Sequence, residues 1–327
     1  MAHELDMSNG RANMAYAGVT PWHGLGNEIS PDEDIDTWKV QAGMNWNVNP
    51  ADLIYKDEED NQLIFPQKQV LFRSDTKAPL SVVSDAYRVV QPGEVLEFFR
   101  DLISGQGFKM ETAGCLFGGK KFWALASTGD SVRIMGQDEV KPYLLMASSC
   151  DGSMSTVAHF TSVRVVCNNT LRMSVGSSGH LAKIRIPHSA TFVPEQVKAQ
   201  MGIAGEVWSN FVGSMETLAS MKLDRDEAIQ IVADELKSEW TGENPEQLME
   251  ESTVLRRIIR LYDGEGLGAQ YKSSKGTAWG LVNAVTQFFD HETGTGQDKS
   301  RAFERAHLTD RAKLKVAVAD QLLRRAA

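Results

Sequence analysis

The chain is 327 residues long, carries a formal net charge of −9 and is 42% hydrophobic and 24% charged. These are the values of an ordinary globular protein with room for two domains. Its apolar runs are too short to cross a bilayer. Its three cysteines, Cys115, Cys150 and Cys167, are odd in number and far apart, which argues against a disulfide scaffold or a zinc knuckle. The opening stretch MAHELDMSNGRANMAYAG lacks the basic-then-apolar pattern of a secretory leader, so a cytoplasmic location is expected.

Residues 1–60 form an acidic N-terminal segment with twelve acids against three bases. Its SPDEDID and KDEEDNQ runs read as exposed turns around a short helix, capped by Asp36, with Trp38, Val40 and Met44 on one side. Residues 61–190 read as a β-rich core and hold fourteen bases against ten acids. Within it, QVLFRSD and PLSVVSDAYRVV form a hairpin. PGEVLEFFRDLISGQG is a helix that opens at Pro92, places Val95, Phe98, Phe99 and Leu102 on its apolar side and stops at Gly105 or Gly107. FKMETAGCLFGGKKFWALAST is a second hairpin with Gly118-Gly119 at its tip. DSVRIMG and KPYLLMASSCDGSMSTVAHFTSVRVVC add strands, the last two turning at Asp151-Gly152.

Residues 191–327 have helical periodicity, as in the spacing of Val197, Met201, Val207, Phe211, Met215 and Leu218. DRDEAIQIVADELKSE opens on a capping Asp224 with acids in its first turn, and three further helices follow. The order predicts an α+β fold: an antiparallel sheet with hairpins and a packed helix in the first half, and a helical second half.

No P-loop, strand-to-helix GxGxxG, HExxH or GxSxG is present, no two of the seven histidines have helical ligand spacing, and neither a cofactor nor a metal is expected. Cys167 and His159, eight residues apart on one extended strand, would stand about 25 Å from each other at ~3.3 Å per residue, too far to act as nucleophile and base. Catalysis is therefore not the favoured reading. Basic residues gather instead: Arg164, Arg172, Lys183 and Arg185 along one segment, with Lys120 and Lys121 on the adjoining hairpin. Such groups suit a phosphate backbone, and Phe122, Trp123 and Phe160 are nearby candidates for base stacking. Asn168, Asn169 and Thr170 suit a strand-to-helix junction.

Two further places stand out. In GTAWGLVNAVTQFFDH a helical projection puts Trp279, Asn283, Thr286 and Asp290 in one stripe opposite Leu281, Val285 and Phe288, a pattern that fits contact with a partner, another segment or a ligand. Lys272 and Lys275 precede that helix and are candidates for the same phosphate-binding role. In GVTPWHGLG, Trp22 and His23 sit in a rigid turn that can anchor to a neighbour.

PWHGLG, SDAYRVVQPGE, TSVRVVCNNTL and GTAWGLVNAVTQFFDH, in that order, resemble the DUF932 family, whose members include phage- and plasmid-borne proteins. The resemblance covers nearly the whole chain and implies a mobile-element protein in a bacterial host, with no catalytic residues to carry over. In outline the hairpin–helix–strands order is also similar to the Rad52-like annealing fold, an analogy at fold level. The leading expectation is a single-stranded DNA binding and annealing accessory acting as a homo-oligomer. The alternative is a host-takeover or anti-defence factor that meets a host protein through its acidic N-terminal segment.

Overall fold

The computed structural model describes residues 5–8, 10–18, 25–129, 131–164, 169–171, 183–201, 204–236, 245–292 and 311–326. The chain divides into two units, 1–129 with 143–159 and 183–202, and 130–142 with 160–182 and 203–327. The β-rich stretch 61–190 therefore feeds both.

In the first unit β1 (Met7–Ser8) and β2 (Arg11–Ala12) pair, followed by β3 (Met14–Tyr16), β4 (Asn27–Glu28) and α1 (Ile35–Gln41). Asp34, not Asp36, caps α1: its carboxylate accepts from the Thr37 N–H at 2.7 Å, while Asp36 lies inside the first turn. α1 buries Ile35 and Trp38 and leaves Val40 58% exposed, so the apolar side expected through Val40 is rotated toward Ile35. β structure begins earlier than the composition implied, because β5 (Val48–Lys56) finds an antiparallel partner in β6 (Gln62–Arg73). β7 (Pro79–Ser84) completes this three-stranded sheet and stops at Ser84, short of the predicted SDAYRVV extension. A turn bond from Tyr87 N–H to Ser84 O takes the backbone out of the ladder there.

α2 (Pro92–Gln106) follows the sequence closely. Gln91 and Glu94 form a capping box, Pro92 needs no donor at the first position, and Gly107 ends the helix at φ 72°. Its buried Val95, Leu96, Phe98 and Phe99 lie toward the hairpin of β8 (Lys109–Leu116) and β9 (Lys121–Ser127), and it also packs on α1. After β9 come β10 (Val132–Ile134), β11 (Asp138–Ser149), β12 (Thr156–Arg164), β13 (Asn169–Leu171) and β14 (Lys183–Ile186). In the first unit the strand order is β14-β12-β11-β9-β8-β3-β4, with β3 and β4 parallel. α3 (Pro194–Met201) closes it.

In the second unit β10 pairs with the start of β11, Ile134 facing Asp138, and Ser162–Arg164 of β12 pair with β13, Arg164 facing Asn169. Asn169 and Thr170 thus lie in a strand paired with β12 and not at a strand-to-helix junction; Asn168 lies outside the described residues. Among the described residues six α-helices follow: α4 (Ala204–Ser220), α5 (Arg225–Leu236), α6 (Pro245–Glu251), α7 (Thr253–Arg260), α8 (Ala278–Gln287) and α9 (Arg311–Ala326). Asp224 caps α5 as expected, accepting from Glu227 N–H at 2.9 Å. One apolar cluster joins Ile134 and Val140 of the β10–β11 hairpin to side chains of α4, α5, α7, α8 and α9.

α8 is buried along its whole length. The stripe expected to face a partner is therefore interior, and each polar member meets another part of the second unit or its own helix. The Trp279 indole donates to Asp138 at 2.8 Å, as does the Ser273 hydroxyl. Asn283 donates to the Trp279 carbonyl and Thr286 to the Val282 carbonyl, while Lys315 pairs with Asp290 at 2.6 Å. A helix enclosed on every side places its polar groups inside, and they must be hydrogen-bonded there. The GTAWG run is explained by the same packing. Thr277 caps α8 by accepting from Gly280 N–H, and a Cβ on Gly280 would lie 2.0 Å from the Ser274 carbonyl oxygen.

Two outcomes follow. Gly280→Ala forces a backbone shift in a packed interior and destabilises the protein by on the order of 3 kcal/mol in urea unfolding, far more than the same substitution at the open Gly213 of α4. In the first unit, Glu97 bonds to Arg100 and Lys39, and these bonds, the Arg100 one first, outweigh burial and hold its carboxyl at about 2. Its folded value lies below its unfolded one, so its contribution is complete above the ordinary glutamate range and fades as pH falls through about 2. The difference in melting temperature between wild type and Glu97→Gln should be present at neutral pH and shrink toward zero in strong acid.

Candidate nucleic-acid interface

Where β7 ends, residues 85–91 cross one end of the main sheet and meet the residues after β14. Tyr87 stacks on His188 with ring centroids 4.4 Å apart and planes 19° from parallel. The Tyr87 hydroxyl donates to the Ser149 carbonyl at 3.1 Å, and Arg88 N–H donates to the His188 carbonyl at 2.6 Å. The His188 ring stands between two carbonyl oxygens, Arg88 O at 3.1 Å from Nδ1 and Met154 O at 2.9 Å from Nε2. Burial first, and then the neighbouring Cys150 and Asp151, push the Tyr87 hydroxyl well above its ordinary range, so it stays a donor.

The same network reaches β9 and the β11–β12 turn. Lys120 O accepts from Cys150 N–H at 2.9 Å, and Lys121 lies opposite Ser149 in the ladder with its ammonium over the Phe117 ring. Arg185 faces Val157 across the β14–β12 pair, three residues before His188. Four cationic residues of the first unit are thus tied by backbone or sequence to one corner: exposed Arg88 and Arg185, half-buried Lys120 and Lys121. Two carboxylates accompany them. Asp85 is exposed. Burial would raise Asp151, but bonds from Ser153 and Ser149 and the charge of Lys121 outweigh it and keep its carboxyl low.

Of the basic residues singled out in the sequence, Lys120 and Lys121 adjoin Cys150 and Ser149 at the start of β9, and Arg185 lies on β14 with β11 and β12 between. Arg164 and Lys183 have described backbones, on β12 and β14, but their side chains lie outside the described residues, as does the whole of Arg172. Lys272 and Lys275 are exposed in the second unit ahead of α8. Trp22 and His23 lie outside the described residues. Phe122 and Trp123 are buried in the sheet and present no face for stacking. The half-buried rings at this corner are Tyr87 and His188, which sequence reasoning missed together with Arg88. The signal was the turn composition of SDAYRVV, concealed by its apolar valines.

Among the described residues no helix is long and apolar enough to cross a membrane, and no cluster of His, Cys, Asp or Glu is arranged to hold a metal ion. Cys115 and Cys150 are free and fully buried. Burial, with the nearby Asp151, pushes the Cys150 thiol up to about 12, and burial pushes Cys115 up as well. Neither is a thiolate at neutral pH. In a Cys167→Ser background both should resist a thiol-alkylating reagent in the native protein and label completely in guanidinium, as read by intact mass.

A model of a domain of unknown function, DUF932, matches residues 79–313. No curated protein and no solved structure matches the chain. The matched region includes the Tyr87–His188 corner and all of α8. This chain belongs to the DUF932 family.

Proposed function

We propose that this DUF932 chain is a mobile-element protein that holds single-stranded DNA at the Tyr87–His188 corner, as an accessory to strand annealing or recombination, without covalent catalysis. The observation that carries this reading is a stacked pair of rings formed where segments bearing Arg88 and Arg185 meet the end of the sheet that holds Lys120 and Lys121. Cations of this kind neutralise phosphates without reading sequence, and a ring pair beside them offers a platform for an unpaired base. The mobile-element part of the reading rests on the resemblance of four motifs to the DUF932 family, which the match over residues 79–313 supports at the level of the family alone.

The test is fluorescence anisotropy with a labelled oligothymidylate. Binding at low salt is expected to fall steeply as salt rises, with a slope of about −3 in log–log form for four neutralised phosphates. Arg88→Glu combined with Arg185→Glu should weaken it by more than about tenfold, and Tyr87→Ala should weaken it by about 1–3 kcal/mol through lost stacking. An absence of binding at low salt, or binding indifferent to these substitutions, overturns the reading.

A further inference from the structure

Of the ten large hydrophobic residues that are strongly exposed among the described residues, five belong to one hairpin tip: Ile54, Tyr55, Leu63, Ile64 and Phe65, each between 40% and 60% exposed. A patch so concentrated marks an interaction surface. The tip is set off from its sheet by a bulge, in which Leu53 of β5 stands opposite Phe65, Pro66, Gln67 and Lys68 of β6, with Gln67 at φ 59°. β7 pairs with β6 only from Lys68 onward, so beyond the bulge the hairpin is a two-stranded ribbon with no ladder partner on either edge among the described residues. Ile54 pairs with Ile64 on one face, and Tyr55 pairs with Leu63 on the other, where the Tyr55 ring meets Phe65 edge-on at 6.3 Å. An isolated two-stranded hairpin is marginal in water, and one with both faces apolar needs a cover.

We propose that the cover is the same ribbon of a second copy, packed antiparallel. The ribbon is electrically polar along its length. Its turn carries Asp57, Glu58, Glu59 and Asp60 against Lys56, a net −3. Its base is cationic: Lys68 lies opposite Ser84, Asp85 N–H bonds to Gln67 O, and three residues on begins the corner of Arg88, Lys120, Lys121 and Arg185. Counted with the neighbouring Asp52, Asp85 and Asp151, that base is net +2.

Two antiparallel ribbons place each acidic turn beside the other copy's cationic base and bring the apolar shafts together between them. A phosphate polymer fits such a turn badly, since four carboxylates repel it. Packed through the face of Tyr55, Leu63 and Phe65, at about 100 Å² for each half-exposed side chain, two copies bury roughly 600 Å² of apolar surface, below the size of a standard interface, so the dimer is weak and reversible. Below the ribbon, Pro50 opposite Leu71 and Pro66 in the bulge remove backbone donors, which disfavours edge-to-edge pairing continuing along β5 and β6.

The inference stands on the ribbon, and it implies that the second copy's turn and single-stranded DNA compete for one basic corner. Sedimentation of the full chain across the micromolar range should show reversible association toward twice the 36.1 kDa of one chain. Leu63→Glu with Ile64→Glu, exposed positions whose change leaves the melting temperature in place, should abolish it. Reversing the turn (Glu58→Lys, Glu59→Lys) or the base (Lys68→Glu, Arg88→Glu) should each weaken association about tenfold, and mixing the two reversed variants should restore it as a heterodimer. Oligothymidylate binding, measured on the turn and shaft variants, should be retained or strengthened. A chain that stays monomeric at about 100 μM, where a micromolar dimer would be nearly complete, overturns the proposal. So does a dimer indifferent to the shaft substitutions, or reversed variants that do not rescue each other. Loss of DNA binding with an intact dimer would count against the basic corner as a DNA site and leave the ribbon standing.

Discussion

Asp138 is a carboxylate with no solvent exposure, held by the Trp279 indole and the Ser273 hydroxyl. Taking an acidic group out of water is costly unless every vacated hydrogen bond is replaced. That requirement orders much of the second unit. It fixes the β10–β11 hairpin against the start of α8, turns Trp279 inward and sets the cap in which Thr277 serves both Gly280 N–H and Ser273 O. The close approach of Gly280 to Ser274 follows from the same geometry. The motif that resembles a partner-binding stripe in projection is, in three dimensions, the means by which this polar interior is satisfied.

The first unit divides its charges differently. Lys39 and Arg100 are taken up by Glu97 and Asp36, Arg73 by Asp6 and Asp75, and Lys198 by Asp101. Arg73 also lies over the Trp46 ring at 4.2 Å. These pairs knit helices and sheet together and leave their cations little to offer a ligand. Among the charges presented outward, the β5–β6 turn carries four carboxylates, Asp57 to Asp60, against one lysine. Such a concentration of one sign creates a local field that the net charge of −9 does not describe.

The features legible in the sequence were those set by neighbours in the chain. α2 announced itself through Pro92, its apolar spacing and Gly107, and the β8–β9 hairpin through Gly118 and Gly119. The antiparallel α+β architecture followed from the order of these elements. What escaped was decided by distant partners. Asp138 reads locally as a turn acid in GQDEV, and nothing nearby shows that an indole 141 residues later will bury it. Trp279 looked peripheral because a helical projection assumes one buried face, whereas α8 is enclosed by several elements. Arg88 was read into a strand because Val89 and Val90 continue an apolar run, yet the backbone leaves the ladder at Ser84. The basic corner was half visible: the lysines and Arg185 were named, but the rings that join them come from segments about a hundred residues apart.

The span between Asp138 and Trp279 also bears on how the chain folds. Closing a loop of 141 residues carries a large entropic cost that is recovered only when the contact forms. The β10–β11 hairpin is complete early in the chain, but its buried faces, Ile134 and Val140, share a cluster with α8 and with Val318 and Leu322 of α9. During synthesis those side chains wait in water until nearly the last helix has emerged. The second unit therefore matures as a late, long-range event, and a chain interrupted before α8 carries an unsatisfied carboxylate and a bare apolar hairpin, both substrates for chaperones and proteases.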